Sequence, residues 1–280
     1  MFYFITLLIA FPILIIVYAG WSGQRVPDIN PNNFDSKNFK KKKIVVCCGD
    51  SITHGRIGYN WVEYLNKKNP GYIFINAGIN GDLTWNVYKR LNDIIKCKPS
   101  IITLLIGTND AMGSQTKKLG NDYIKMKKLP KPPSNDWFKE NYEKILLKLI
   151  NNTDAKIYPI TLPWVGEDEN SIISKIIGDQ NDIIQNLARK YELDVIQFNE
   201  KIKTELIEIA KDEDQSQFRY EIDYKRMYRI ARAVILYYGF NYSWNAISKK
   251  YGLYYSCDFI HLNDDGGSML AKMVQKKIDI

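Results

Sequence analysis

The sequence predicts an α/β protein whose parallel sheet is covered by helices on both faces. Three observations point there. Apolar runs of strand length recur along the chain, helix-period stretches fill the intervals between them, and the first run, Ile44-Val45-Val46-Cys47-Cys48, is apolar throughout and ends at Gly49. A strand with one solvated face would alternate, so an unbroken run reads as a strand buried on both sides. Strands separated by helices of ten or more residues return in the same direction and form βαβ units.

The elements follow in order. Phe2 to Ala19 is almost purely apolar, and the first charged side chain is Arg25. A signal peptide usually has a basic start and an apolar stretch of roughly 7 to 15 residues; this segment lacks the first and exceeds the second. Spanning a bilayer takes roughly 20 apolar residues, so residues 1–24 read as a single-pass anchor, with Val17-Tyr18-Ala19 leaving signal cleavage and secretion open as the alternative. The positive charges Arg25, Lys37 and Lys40 to Lys43 all follow it, which favours a cytoplasmic domain, whereas the sequons at Asn151 and Asn241 favour the other side. Residues 25–42, with Pro27 and Pro31 and no period, read as a linker. Residues 43–280 then form the domain. Its further strands are expected at Tyr72 to Asn76, Ile101 to Ile106, Lys156 to Thr161 and Asp194 to Phe198, about five in all. Helices are expected near Tyr59 to Lys68, Thr84 to Lys96, Trp137 to Ile150, Ser174 to Tyr191, Glu200 to Lys211 and Ser268 to Lys277. Two segments break the alternation: Ala111 to Asn135, and a basic, aromatic insertion over residues 212–256.

Composition removes several functions. The 280 residues include 39 Lys and Arg against 31 Asp and Glu, a surplus of +8 that is scattered apart from Lys40 to Lys43. That is a solvated basic surface rather than a nucleic-acid site. The four cysteines, Cys47, Cys48, Cys97 and Cys257, form no CxxC pair and read as small core residues. With only His54 and His261, and no HExxH, GxGxxG or GxxxxGK, neither a metal nor a nucleotide cofactor is expected.

In such a sheet the ligand crevice lies at the carboxyl ends of the strands. Strand one ends in Gly49-Asp50-Ser51-Ile52-Thr53, strand two in Asn76-Ala77-Gly78-Ile79-Asn80-Gly81-Asp82, and strand three in Gly107-Thr108-Asn109-Asp110. Asp258-Phe259-Ile260-His261-Leu262-Asn263 stands before the last helix. These four segments, in this order, resemble the motif blocks of the SGNH, or GDSL, hydrolases. The resemblance runs from about Lys43 to the C-terminus and implies a flavodoxin-like three-layer α/β/α fold and ester hydrolysis through serine. Carried over by position, it makes Ser51 the nucleophile and first oxyanion donor, Gly81 and Asn109 the other donors, and Asp258 and His261 the rest of the triad.

The chemistry is consistent with that assignment. Serine needs a base within hydrogen-bond reach, and the base needs a partner that fixes its tautomer. Asp258, three residues before His261, can accept the Nδ1 proton and leave Nε2 for Ser51. His54 is the rival base, expected on the opening turn of a helix, partly exposed and without a placed carboxylate. Asp50 and Asp110 are expected to bind loop backbone. An α/β-hydrolase elbow, GxSxG, is absent. The chain departs from the family pattern at Phe259 and Leu262, where glycine and proline are more usual, and in the long insertion. There Arg226, Arg229 and Arg232 at helical spacing precede Tyr237, Tyr238, Phe240 and Trp244. The segment reads as a packed helix pair or as a cap over an acyl pocket resting on lipid headgroups. The Gly107-Thr108-Asn109-Asp110 block resembles the lysophospholipase and acetylhydrolase branch, which implies a serine esterase acting on lipid esters. A carbohydrate O-deacetylase, or an inactive domain binding lipid or glycan, is the alternative.

Overall fold

The computed structural model describes residues 2–39, 41–210 and 225–278. Four parallel strands, β1 (Lys43–Gly49), β2 (Tyr72–Gly78), β3 (Ile101–Leu105) and β4 (Lys156–Pro159), form a sheet of order β2-β1-β3-β4. β1 pairs with β2 from Lys43–Tyr72 to Gly49–Gly78 and with β3 from Val45–Ile101 to Gly49–Leu105. Every residue of β1 after Lys43 is buried, as its unbroken apolar run requires. The chain leaves β1 towards β2 on one side and later returns past it to β3, so strand order reverses between β1 and β3. At such a switch point the two outgoing loops diverge and open a crevice.

The sequence-derived fold class therefore holds, with one difference. The fifth run pairs only through Ile196, which bridges Ile160 in parallel, because α10 (Phe198–Ala210) begins two residues later. Helix α3 (Trp61–Lys68) and helix α13 (Asp264–Lys277) pack together on one face. On the other, α8 (Asn135–Asn152) packs against α4 (Thr84–Lys89), α5 (Leu91–Lys96) and α9 (Ile172–Lys190). Trp61, Phe74, Phe138, Tyr142 and Phe198 fill the core between the layers. Short polar side chains set the helix starts: Ser134 accepts Trp137 N–H, Ser171 accepts Ser174 N–H, and Asn263 accepts the N–H groups of Asp265 and Gly266.

Both irregular segments contain helices among the described residues. Residues after β3 form α6 (Thr108–Ser114) and α7 (Lys117–Lys127), separated because Thr116 caps α7 through Leu119 N–H. In the insertion, α11 (Arg226–Phe240) and α12 (Trp244–Lys249) are a packed pair, and residues 211–224 lie outside the described residues. Trp244 stacks on Tyr237 with centroids 4.0 Å apart and is buried with Ala233, Ile247 and Cys257. It fills the seam between the two helices.

The N-terminal segment is helix α1 (Phe2–Gln24). Its second half lies on α11: Ala19 is buried with Ile57 and Val234, and Gly23 and Gly239 let Val234 and Ile15 approach closely. Among the described residues, which include side chains of α1 from Pro12 onward, no helix is long and apolar enough to cross a membrane. Ile29 to Phe39 lie against the domain, with Asn76 N–H donating to Ile29 O, Asn30 buried and Phe34 stacked on Phe39.

Candidate active site

Ser51 opens the short helix α2 (Ser51–His54), which leaves β1 through Asp50; the Asp50 carboxylate accepts Ile52 N–H at 3.0 Å. From the far end of the chain a tight loop delivers the other two groups. Ser256 and Leu262 form an antiparallel bridge, Cys257 N–H donates to His261 O at 2.8 Å, and Asp258 Oδ1 accepts the N–H groups of Ile260 and His261 at 3.0 and 2.8 Å. Residues 210 positions apart thereby meet. His261 Nδ1 lies 2.7 Å from Asp258 Oδ2, and Nε2 lies 2.9 Å from Ser51 Oγ. An ionised carboxylate only accepts, so the Nδ1 proton belongs to the Asp258 bond and Nε2 is left with a lone pair facing the hydroxyl. All three groups are buried, Ser51 being 7% exposed.

Their electrostatics agree with this arrangement. Burial favours the neutral imidazole, but the Asp258 charge and hydrogen bond outweigh it and hold the His261 pKa above its ordinary value. Burial likewise raises Asp258, and its bonds to His261 and Ile260 outweigh that, so it titrates below the usual carboxylate range. His54 has no comparable arrangement. Contrary to the expected partial exposure it is buried, its Nδ1 has no partner among the described residues, and burial pushes its pKa down to about 4.

Gly81 and Asn109 lie in the segments after β2 and β3, and a hydrogen bond joins those segments. Asn109 Nδ2 donates to Asp82 O at 3.0 Å and lies 3.4 Å from Asp50 Oδ2, which ties the loops after β1, β2 and β3 together. Gly81 has φ +74°, a left-handed conformation that a side chain would strain. No hydrogen bond within the described residues takes up the N–H of Ser51 or of Gly81. Gly78 serves packing instead: a Cβ there would collide with the backbone of His54 and Asp50. Asp110 binds the N–H and hydroxyl of Thr84 at 3.0 and 2.7 Å.

Several supporting contacts were not foreseen from the sequence, because each depends on how separate elements pack. Asp82 is gripped by Arg90 Nε at 2.8 Å and Lys127 Nζ at 2.6 Å, while Arg90 also donates to Gly49 O and Lys127 to Asn80 O. Glu167 accepts the N–H groups of Tyr254, Tyr255 and Ser256 together with the Ser256 hydroxyl, and so fixes the approach to Asp258. Phe259 has φ +78°, and its ring lies 4.0 Å under the guanidinium of Arg229. Tyr123 donates its hydroxyl to Asn109 Oδ1 at 2.8 Å. The insertion thus reaches the site through the first turns of α11.

This fold and its loop blocks define an ester-hydrolysing enzyme of the SGNH type. The family model of the GDSL-like Lipase/Acylhydrolase family matches residues 47–267, and the chain belongs to that family. Among solved structures it is similar to the acetyl xylan esterase AlAXEase, at 19% identity and TM-score 0.57 over 84% of this chain and 99% of that one. It is also similar to a lipase/acylhydrolase from Enterococcus faecalis, at 19% identity and TM-score 0.54 over 84% and 95%. A catalytic mutant of Axe2, an acetylxylan esterase from Geobacillus stearothermophilus, aligns at 15% identity and TM-score 0.58 over 85% and 94%. At these identities the likeness concerns the fold. Comparison with curated protein sequences finds no significant match.

Proposed function

We propose that the chain is a serine esterase working through an acyl-enzyme, and the observation that carries this is the continuous Asp258–His261–Ser51 hydrogen-bond chain. Ser51 Oγ attacks the ester carbonyl as His261 Nε2 takes its proton, and Asp258 stabilises the imidazolium. The oxyanion is received by the N–H groups of Ser51 and Gly81 and by Asn109 Nδ2. His261 then protonates the departing alkoxide. In the second half a water gives its proton to His261 and attacks the acyl carbon, and Ser51 leaves with the proton restored.

Lipid esters are the first substrate class, supported by the form of the third block. Carbohydrate O-acetyl esters are the second, favoured by the acetylxylan esterases among the structural neighbours. Hydrolysis of p-nitrophenyl esters from acetate to palmitate, with lysophospholipid and acetyl-xylan in parallel, separates the two. A serine-directed fluorophosphonate should label wild type and not Ser51→Ala. Near-normal turnover in Ser51→Ala would refute the mechanism. Helix α1 is further proposed as a membrane anchor, because Leu14, Val17, Tyr18 and Trp21 are each more than half exposed while Ala19 faces α11. Its test is whether full-length protein stays with membranes after a carbonate wash.

A further inference from the structure

An asparagine that is to stabilise an oxyanion has an orientation problem. Rotating its amide by half a turn replaces the donor with an acceptor, which would repel the developing charge. Whatever fixes the amide of Asn109 therefore matters for the reaction. One amide hydrogen is donated to Asp82 O at 3.0 Å and the other to Asp50 Oδ2 at 3.4 Å, the longer bond being the one an oxyanion would take over. The carbonyl side is fixed by Tyr123, whose hydroxyl lies 2.8 Å from Asn109 Oδ1.

Tyr123 is 3% exposed, so its hydroxyl cannot turn to solvent, and burial pushes its pKa up to about 12, which keeps it a donor at any working pH. The same hydroxyl accepts from Arg226 Nη1 at 3.4 Å, and the guanidinium stands 5.5 Å from the Tyr123 ring centroid. A hydroxyl that accepts from a cation is polarised into a stronger donor. Arg226 belongs to the first turn of α11, the insertion helix.

We propose that Tyr123 is a positioning residue of the oxyanion hole: it fixes the Asn109 amide with Nδ2 presented to the substrate, and Arg226 holds Tyr123 in that role. This rests on the reading of Asn109 as an oxyanion donor. It gives the insertion a function in the reaction beyond packing, through a relay that runs from Arg226 through Tyr123 to Asn109.

The test is a double-mutant cycle on the full-length enzyme with p-nitrophenyl acetate. Tyr123→Phe removes only the hydroxyl. We expect kcat to fall about tenfold with KM within about twofold, a fraction of the roughly 100 to 1,000-fold attached to a whole oxyanion donor. In an Asn109→Ala background the same change should alter kcat by less than about twofold, because residues acting as one unit do not add. The rate of inactivation by a fluorophosphonate, which forms a tetrahedral adduct at serine, should fall in parallel with kcat. Arg226→Gln, which leaves the Tyr123 packing in place, should lower kcat by a smaller factor in wild type and have no effect beside Tyr123→Phe. Unchanged kcat in Tyr123→Phe, or the same loss with and without Asn109, would overturn the relay and leave Tyr123 a packing residue. If wild type neither labels at Ser51 nor cleaves any ester, the serine mechanism itself fails, and the relay with it.

Discussion

The imidazole of His261 sits between a carboxylate that favours its charged form and a buried site that opposes it, and the carboxylate prevails. In the proposed mechanism only the neutral ring can accept the Ser51 proton, so activity disappears as the ring protonates. Because its pKa is raised, the acid limb of kcat/KM should have its midpoint above the ordinary histidine value of about 6.5. In Asp258→Asn the His261 titration, followed by NMR, should move down. A wild-type midpoint at or below 6.5 would show that Asp258 does not set the base. Phe259 poses a second residue-scale question: a bulky residue at φ +78° is held there by Gly166 N–H on its carbonyl and by Arg229 over its ring.

At the scale of elements, the loop from Ile79 to Asp82 is the weakest-looking part of the site in sequence, yet two cations converge on its one carboxylate. Asp82 is 3% exposed, and both Arg90 and Lys127 are largely buried beside it. Asp82→Ala leaves two sheltered cations without their carboxylate, each keeping only a backbone carbonyl, and frees the loop that carries Gly81. The expected cost is about 2 to 4 kcal/mol of stability, near the lower end of what breaking a buried ion pair costs, with a fall in kcat of more than about tenfold. Denaturant melts and steady-state kinetics on the same preparation check both. An unchanged midpoint and rate would mean that the loop is held by its backbone alone.

For the whole molecule, α1 is part of the structure around the site. Ala19 and Gly23 cover Ile57 and Val234, and Asn80 Nδ2 donates to Gly23 O at 3.1 Å, one residue before Gly81. Removing residues 1–24 should therefore lower the melting temperature by several degrees, through exposure of about two aliphatic side chains, and reduce turnover of a small soluble ester. Equal melting temperatures for the full chain and the truncation would make α1 a mere attachment. Stability should also depend on pH through two sheltered acids. Burial pushes Asp50 and Asp110 up to about 7 from 3.8. Between pH 4 and 7 the fold retains protons that the unfolded chain has released, so these groups stabilise below pH 4, and their contribution is lost as pH rises through 7. Asp110→Asn should flatten the fall in unfolding free energy over that window; an identical slope would exclude Asp110 as a source.

The sequence by itself determined the layered architecture, and its resemblance to the family singled out Ser51, Asp258 and His261, since both signals are written locally. Unbroken apolar runs declare buried parallel strands, glycine-rich polar blocks mark their carboxyl ends, and an aspartate three residues before a histidine closes a loop through its own backbone. The fifth strand was overestimated because the run at Asp194 to Phe198 ends where α10 starts, a competition that periodicity does not resolve. Tertiary structure alone decided what surrounds the site. Arg90 and Lys127 share Asp82 across 8 and 45 positions, Tyr123 meets Arg226 across 103, and Glu167 meets Ser256 across 89. None has a fixed spacing, because an ion pair or a phenol–amide bond depends on where two helices come to lie, and packing, not local sequence, sets that. The same holds for α1: its apolar run announces a helix, while the small residues that seat it on α11 acquire meaning only once Ile15 and Val234 are in place.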